Sequence, residues 1–174
     1  MEKRTSEVTF KGGPVTLVGP KVKTGDKAPD FRTINSSLGT VTLADTPTKA
    51  RLFSVVPSLD TPVCSTQTKK FEDGIKALGD KAACYTVSLD LPFAQKRFCA
   101  EAGVSSMQTL SDVHNQSFGT GWGVLIEGLP LPLLARSVFV VDKDGTVTHA
   151  EYVKEVTSEP NYDAALAALK EAAG

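Results

Sequence analysis

An excess of charge of either sign is missing from this 174-residue chain: 19 Lys and Arg stand against 20 Asp and Glu, a net charge of −1. Nothing in that balance draws the protein to nucleic acid or to an anionic membrane surface. Long apolar runs are also missing. The longest candidate, Val124 to Ala135, is interrupted by Glu127, Pro130 and Pro132, well short of the ~18 residues of a membrane span. Behind Met1 to Glu7 there is no apolar stretch of the kind a secretory signal needs, so we expect no export. Cysteine is scarce and odd in number, at three. That excludes a disulfide framework and points to a reducing, cytoplasmic compartment with reactive or core thiols. The sequons at Asn35 and Asn115 are then incidental. His114 and His149 have no partner at ligand spacing, which argues against a metal site. Repeats, low-complexity segments and linkers are absent as well, so residues 1–174 read as one domain.

A hydrophobic fraction of 41% and a charged fraction of 22% are those of a soluble globular protein, and the length suffices to bury about 70% of the unfolded surface. The chain is organised around Arg51 to Gly79. Leu52 to Val56 is a short apolar run closed by Pro57, as in a buried parallel strand. Thr61 then suits a helix N-cap and Pro62 the first helical position. Phe71, Ile75 and Leu78 supply the apolar stripe, and Gly79 the stop. Seven residues before Phe71, on the same stripe, stands Cys64. Its thiol therefore faces inward at the helix end where unpaired N–H groups and the positive pole of the dipole converge.

A free thiol with a pKa near 8.5 is only a few per cent ionised at neutral pH, whereas favourable sites lower that value to roughly 3.5 to 7.5. Reaching about 6 needs roughly 3.4 kcal/mol of preference for the thiolate. One helix end supplies typically about 0.3 to 1 kcal/mol. A cation or several hydrogen bonds must supply the rest. Arg32, Arg51, Arg97 and Arg136 lie near predicted element ends, and composition does not rank them. Arg136 has the merit of leading directly into the apolar run Ser137 to Val141.

Val8–Phe10 and Val15–Val18 flank Lys11-Gly-Gly-Pro14 as an N-terminal hairpin. Thr40 to Leu43 is a short strand, Ala82 to Leu89 a central parallel strand, and Asp90-Leu91-Pro92 opens a helix that Gly103 stops. Phe98, Ala102 and Leu91 mark its inner face. Met107 to Leu110 reads as an edge segment and Asp112 to Phe118 as a helical turn. Ser137–Val141 and Thr146–Val153 form a hairpin around Asp142-Lys-Asp-Gly145, and an amphipathic helix follows Pro160. Turn chemistry accounts for the Asp142 loop, which lacks the ligands of a calcium loop. Gly119-Thr-Gly-Trp-Gly has no strand before it and is no dinucleotide fingerprint. The order of elements gives an α/β layered architecture.

Cys99 lies 35 residues beyond Cys64, so the two form neither a C-x-x-C dithiol nor a zinc pair. It sits on the flank of its helix near the Gly103 stop, where fraying costs little. A disulfide between separate helices, with Cα atoms about 4.4 to 6.8 Å apart, becomes feasible when one of them unwinds. Cys84, inside a buried strand, reads as packing. A cysteine hydrolase pairing Cys64 with a histidine is a rival reading, but nothing in the sequence brings the two together.

Pro57-x-x-x-Thr61-x-x-Cys64 resembles the active-site pattern of peroxiredoxins. With Ser88-Leu-Asp-Leu-Pro-Phe-Ala-Gln-Lys-Arg-Phe-Cys99, Ala135-Arg-Ser-Val-Phe-Val-Val-Asp142 and Glu159-Pro-Asn-Tyr162, the resemblance to the thiol peroxidase family, the atypical two-cysteine branch, covers nearly the full chain. It implies a thioredoxin-like α/β fold of the peroxiredoxin type with residues 1–18 as an N-terminal hairpin extension, and homodimerisation. It implies thioredoxin-dependent reduction of hydroperoxides without cofactor or metal. By residue, it implies Cys64 as the peroxidatic cysteine and Cys99 as the resolving one, joined in a redox disulfide. Thr61 and Arg136 would hold peroxide and thiolate, and Pro57 would shield the sulfur. A peroxide-responsive redox switch is the alternative. The apolar segment Val124 to Leu134, with Leu129 and Leu131, is expected to line the substrate mouth or a dimer contact.

Overall fold

The computed structural model describes residues 1–174. The strands are β1 (Lys3–Phe10), β2 (Gly13–Val18), β3 (Arg32–Ile34), β4 (Thr40–Thr42), β5 (Ala50–Val55), β6 (Ala82–Ser88), β7 (Met107–Ser111), β8 (Leu125–Glu127), β9 (Leu133–Leu134), β10 (Ser137–Val141) and β11 (Val147–Tyr152). The helices are α1 (Pro62–Ile75), α2 (Pro92–Ala102), α3 (Ser117–Gly121) and α4 (Tyr162–Ala173). Seven strands form one sheet in the order β11-β10-β5-β6-β7-β3-β4, and β1-β2-β8-β9 form a second. β5, β6 and β7 run parallel, joined by α1 and α2, while β10 lies antiparallel to β5. The two expected hairpins are present, β1 with β2 and β10 with β11.

Alternation along the central strands sends side chains to opposite faces of the large sheet. Ala50, Leu52, Cys84, Met107, Val138 and Val140 face α1 and α4, where Phe71, Ile75, Ala165 and Leu169 complete one core. Phe53, Val55, Tyr85, Val87, Phe139 and Val141 face the other way, onto Phe31, Phe118, Trp122 and the small sheet. There Phe118 and Trp122 stack at 4.9 Å between ring centroids. β5 is buried on both faces, which is why its apolar residues Leu52, Phe53 and Val55 do not alternate with exposed polar ones. Gly74 lets α1 and α4 approach: a Cβ there would lie 2.6 Å from Leu166 Cδ1.

Some expectations are corrected. α1 ends at Ile75, one turn before Gly79, because residues 76–81 tighten into 3-10 turns and Gly79 itself adopts φ 51° at the reversal. β7 is no edge strand, since β3 pairs on its outer side through Ile34 and Ser111. Leu91 is 55% exposed. It is the extended N-cap of α2, outside the helix, so helical periodicity does not reach it; Pro92 and Gln95 make the inner face instead. The turn expected over Asp112 to Phe118 begins later, at Ser117, with the Asp112 carboxylate accepting the N–H groups of Phe118 and Gly119 at 2.9 and 2.7 Å. No helix is long and apolar enough to cross a membrane.

Candidate active site

β5 ends at Val55, and the chain turns through Val56, Pro57 and Ser58 into α1. Asp90, just beyond β6, fixes that turn: it accepts Ser58 Oγ at 2.9 Å, Leu59 N at 2.8 Å and Ser88 Oγ at 2.8 Å. Thr61 occupies the N-cap position but its side chain does not cap. Its hydroxyl donates to the Ser58 carbonyl at 2.9 Å. The first intrahelical bond runs from Ser65 N to Thr61 O, so the N–H groups of Val63 and Cys64 have no acceptor within the chain.

Cys64 is fully buried, with Val56 and Leu59 against it and Phe98 of α2 alongside. Arg136, only 2% exposed, reaches it from the start of β10: Nη2 donates to Cys64 Sγ at 3.2 Å. The guanidinium is held at every nitrogen. Nη1 donates to Gln67 Oε1 at 2.9 Å and Nε to the Val156 carbonyl at 2.7 Å. Gln67 is itself fixed, donating to Ser54 Oγ on β5 at 2.8 Å. With one hydrogen bond at each of its three nitrogens, the buried guanidinium is fixed in place against the sulfur.

The other three arginines lie elsewhere. Arg51 serves the far end of β5, donating to Thr46 Oγ1 and to the Asp142 carbonyl. Arg32 is exposed, and Arg97 reaches only Asp60, at 4.0 Å. Neither histidine approaches Cys64: His114 is exposed and His149 sits half-buried on β11. A hydrolase dyad therefore has no base.

A cleft of about 380 Å³ opens at the start of α1, lined by Pro57, Thr61, Pro62, Val63 and Arg136 on one side and by Phe10, Lys11, Val156 and Thr157 on the other; Cys64, with no exposed surface, lies behind this lining. The tip of the β1–β2 hairpin thus forms its outer wall. No residue of the Val124 to Leu134 segment lines it. That segment instead builds β8 and β9 and buries Val124, Ile126 and Leu134 in the core, leaving Leu131 exposed. Glu155 ties the two halves of the outer wall together, accepting from Thr9 Oγ1, Gly12 N and Thr157 N at 2.8 to 2.9 Å. The Thr157 hydroxyl, which donates to the same carboxylate at 2.6 Å, and then the N–H groups of Thr157 and Gly12 hold its carboxyl down to about 2.

Cys99 is half-buried and lines a different cleft, with Asn35, Lys96, Met107 and Thr109. Burial, then the nearby Glu72 carboxylate, push its thiol up. Cys64 and Cys99 are both free thiols, and Phe98 rather than Cys99 faces the Cys64 cluster. Cys84 is buried in β6, its thiol pushed up to about 12 by burial. No group of three His, Cys, Asp or Glu side chains is placed to hold a metal ion.

The sequence reading did not single out Gln67, Asp90, Glu72 or the hairpin tip. Gln67 had a usable signal, standing one helical turn after Cys64 and so on its face. The others meet their partners only through tertiary contacts.

Residues 23–166 match the Redoxin family model. The chain belongs to the Redoxin family, and within it to the thiol peroxidases. It is 52% identical to a thiol peroxidase of Bacillus subtilis over 95% of this chain and 97% of the relative. A thiol peroxidase of Staphylococcus aureus is 51% identical over 95% and 98%. Among solved structures, a peroxiredoxin-like protein from Aquifex aeolicus superposes with a TM-score of 0.88 at 42% identity, covering 97% of this chain and 96% of that one. The redoxin fold, thioredoxin-like with its helices packed on a mixed sheet, is thus the frame that brings Arg136 to Cys64.

Proposed function

We propose that the chain is a thiol-dependent peroxidase acting on hydrogen peroxide and organic hydroperoxides. The observation that carries this reading is the Arg136 guanidinium, locked by Gln67 and Val156 and set 3.2 Å from the Cys64 sulfur. The Cys64 thiolate attacks the nearer oxygen of ROOH in line with the O–O bond, which breaks. Negative charge passes to the departing oxygen, where Arg136, the Cys64 N–H and the Thr61 hydroxyl stabilise it. Water or an alcohol leaves once that oxygen is protonated, and Cys64 remains as a sulfenic acid. Pro57 shields the sulfur from bulk solvent. Cys99 then condenses with the sulfenic acid, releasing water, and thioredoxin reopens the Cys64–Cys99 disulfide by exchange.

Cys99 opens on another cleft, so condensation requires α2 to unwind. Gly103, in the left-handed conformation at φ 69°, ends the helix only four residues after Cys99. We read the chain as a single cytoplasmic unit that works as a homodimer. Continuous peroxide consumption in the presence of thioredoxin and its reductase tests the reading. Cys64→Ser is expected to abolish turnover; Cys99→Ser is expected to allow one oxidation per subunit and then stall. Normal cycling by Cys99→Ser would overturn the resolving role, and a single oxidation without turnover in the unmodified protein would make it a redox switch.

A further inference from the structure

α2 must leave its place for Cys99 to reach Cys64, and its two ends are held by carboxylates. At the N-terminal end, Asp90 bonds Ser58, Leu59 and Ser88, and its carbonyl accepts Ser111 Oγ at 2.6 Å. At the C-terminal end stands Glu72, a residue of α1 two turns beyond Cys64 and almost fully buried. The backbone N–H groups of Ser105, Ser106 and Met107 all donate to its carboxylate, at 2.7 to 3.2 Å. No lysine or arginine pairs with it. The helix between is held more loosely. Its one fully buried polar side chain, Gln95, donates to Ser88 Oγ and the Leu110 carbonyl while its Oε1 has no partner.

We propose that Glu72 restrains the resolving step: its bonds to Ser105, Ser106 and Met107 hold the foot of α2 and must be released for the helix to unwind and bring Cys99 to Cys64. The inference rests on the assignment of Cys64 and Cys99 as the reacting pair. In that step Cys99 gives up its proton and its sulfur attacks the sulfenic sulfur of Cys64. The S–S bond forms as the S–O bond breaks, and the hydroxide released takes up a proton to become water. Cys99 is oxidised and Cys64 reduced, with no further reagent.

Removing the carboxylate takes away these charge-assisted hydrogen bonds at the foot of the helix, making unwinding easier by about tenfold. The charge itself acts in the same direction. Around Cys99 the charged groups are Glu72 and Lys96, and the other side chains of its cleft, Asn35, Ser36, Ser37, Gln108 and Thr109, are neutral. Without Glu72, Cys99 ionises more readily.

The experiment is single-turnover oxidation by hydrogen peroxide, followed by intact mass under non-reducing conditions, for the unmodified chain and Glu72→Gln. We expect the peroxide step unchanged, disulfide formation about tenfold faster, its pH profile moved to lower pH, and less sulfinic acid at high peroxide. An unchanged or slower resolving step overturns the inference. Should Glu72→Gln not fold, hydrogen exchange on the unmodified protein decides. The amides of Ser105 to Met107 are expected to lose protection in the disulfide form together with those of α2; retained protection there overturns the restraint. Absence of any Cys64–Cys99 disulfide in the unmodified protein would overturn the assignment of function, and the inference with it; a normal disulfide with an unaffected Glu72→Gln removes the inference alone.

Discussion

The two thiols sit in opposite kinds of surroundings. Cys64 is buried at the start of a 14-residue helix, with an arginine against its sulfur that is itself bonded to a glutamine and a backbone carbonyl. Cys99 lies in the last turn of an 11-residue helix ended by a left-handed glycine, half-buried and without a side-chain partner. On the proposed mechanism, one region is organised before the reaction and the other gives way. That contrast follows from what each step needs: charge stabilisation gains most from donors that do not move, whereas a disulfide between separated helices requires one of them to yield.

The strongest way to break the contrast is to disorganise the Cys64 side. Arg136→Ala removes the donor at 3.2 Å and leaves Gln67 Oε1 and the Val156 carbonyl without their partner. The rate of the peroxide step is expected to fall by about 10²- to 10³-fold, with disulfide formation from pre-formed sulfenic acid unchanged. Stopped-flow kinetics of the two phases checks this. A proportionate slowing of both phases would mean that the regions are not separable.

Acid and base strain the two sides in different windows. Asp112, at the end of the β7 strand that flanks α2, is buried and pushed up to about 6 by that burial, against the N–H bonds from Gly119 and Phe118 that lower it. Its folded value lies above the unfolded one, so the native state binds the extra proton between about pH 4 and pH 6 and loses stability as pH rises through that range. About 3 kcal/mol is the upper bound on its size. Glu155, on the outer wall of the Cys64 cleft, is held down to about 2. Its contribution is present above the ordinary glutamate value and is lost as pH falls toward 2. Amide exchange is therefore expected to speed up around Asp112 between pH 4 and 6 and at the hairpin tip only below pH 4. Equal responses at both places would contradict the assignment.

Much of this contrast was legible in the sequence for a physical reason. Thr61-Pro62 and the stripe of Phe71, Ile75 and Leu78 are local signals, so the helix start and the inward direction of Cys64 follow from capping and periodicity alone. The need for a cation also followed, from the weakness of a lone helix dipole. Which arginine meets it depends on β10 pairing with β5, a contact across more than 80 residues of chain, and only the resemblance supplied it. Leu91 was misplaced because periodicity was carried one residue past the true helix start. The hairpin tip escaped notice because nothing local in Phe10-Lys11 records that it closes a cleft around Thr61.

The smallest effect bears on what bridges the two regions. Arg97 of α2 and Asp60 of the turn before α1 form the ion pair between them, at 4.0 Å with side chains 66% and 73% exposed. A pair so open to water is worth under about 0.5 kcal/mol, far less than the burial of Phe98 against Val56 and Leu59. Arg97→Ala is therefore expected to change the resolving rate by less than about twofold. Raising the salt concentration from 50 to 500 mM, where screening shortens to a few ångströms, should leave that rate similarly unmoved. A marked acceleration in either experiment would show that α2 is held by charge across the gap rather than by packing, and the looseness ascribed to the Cys99 side would then depend on ionic strength instead of on the helix itself.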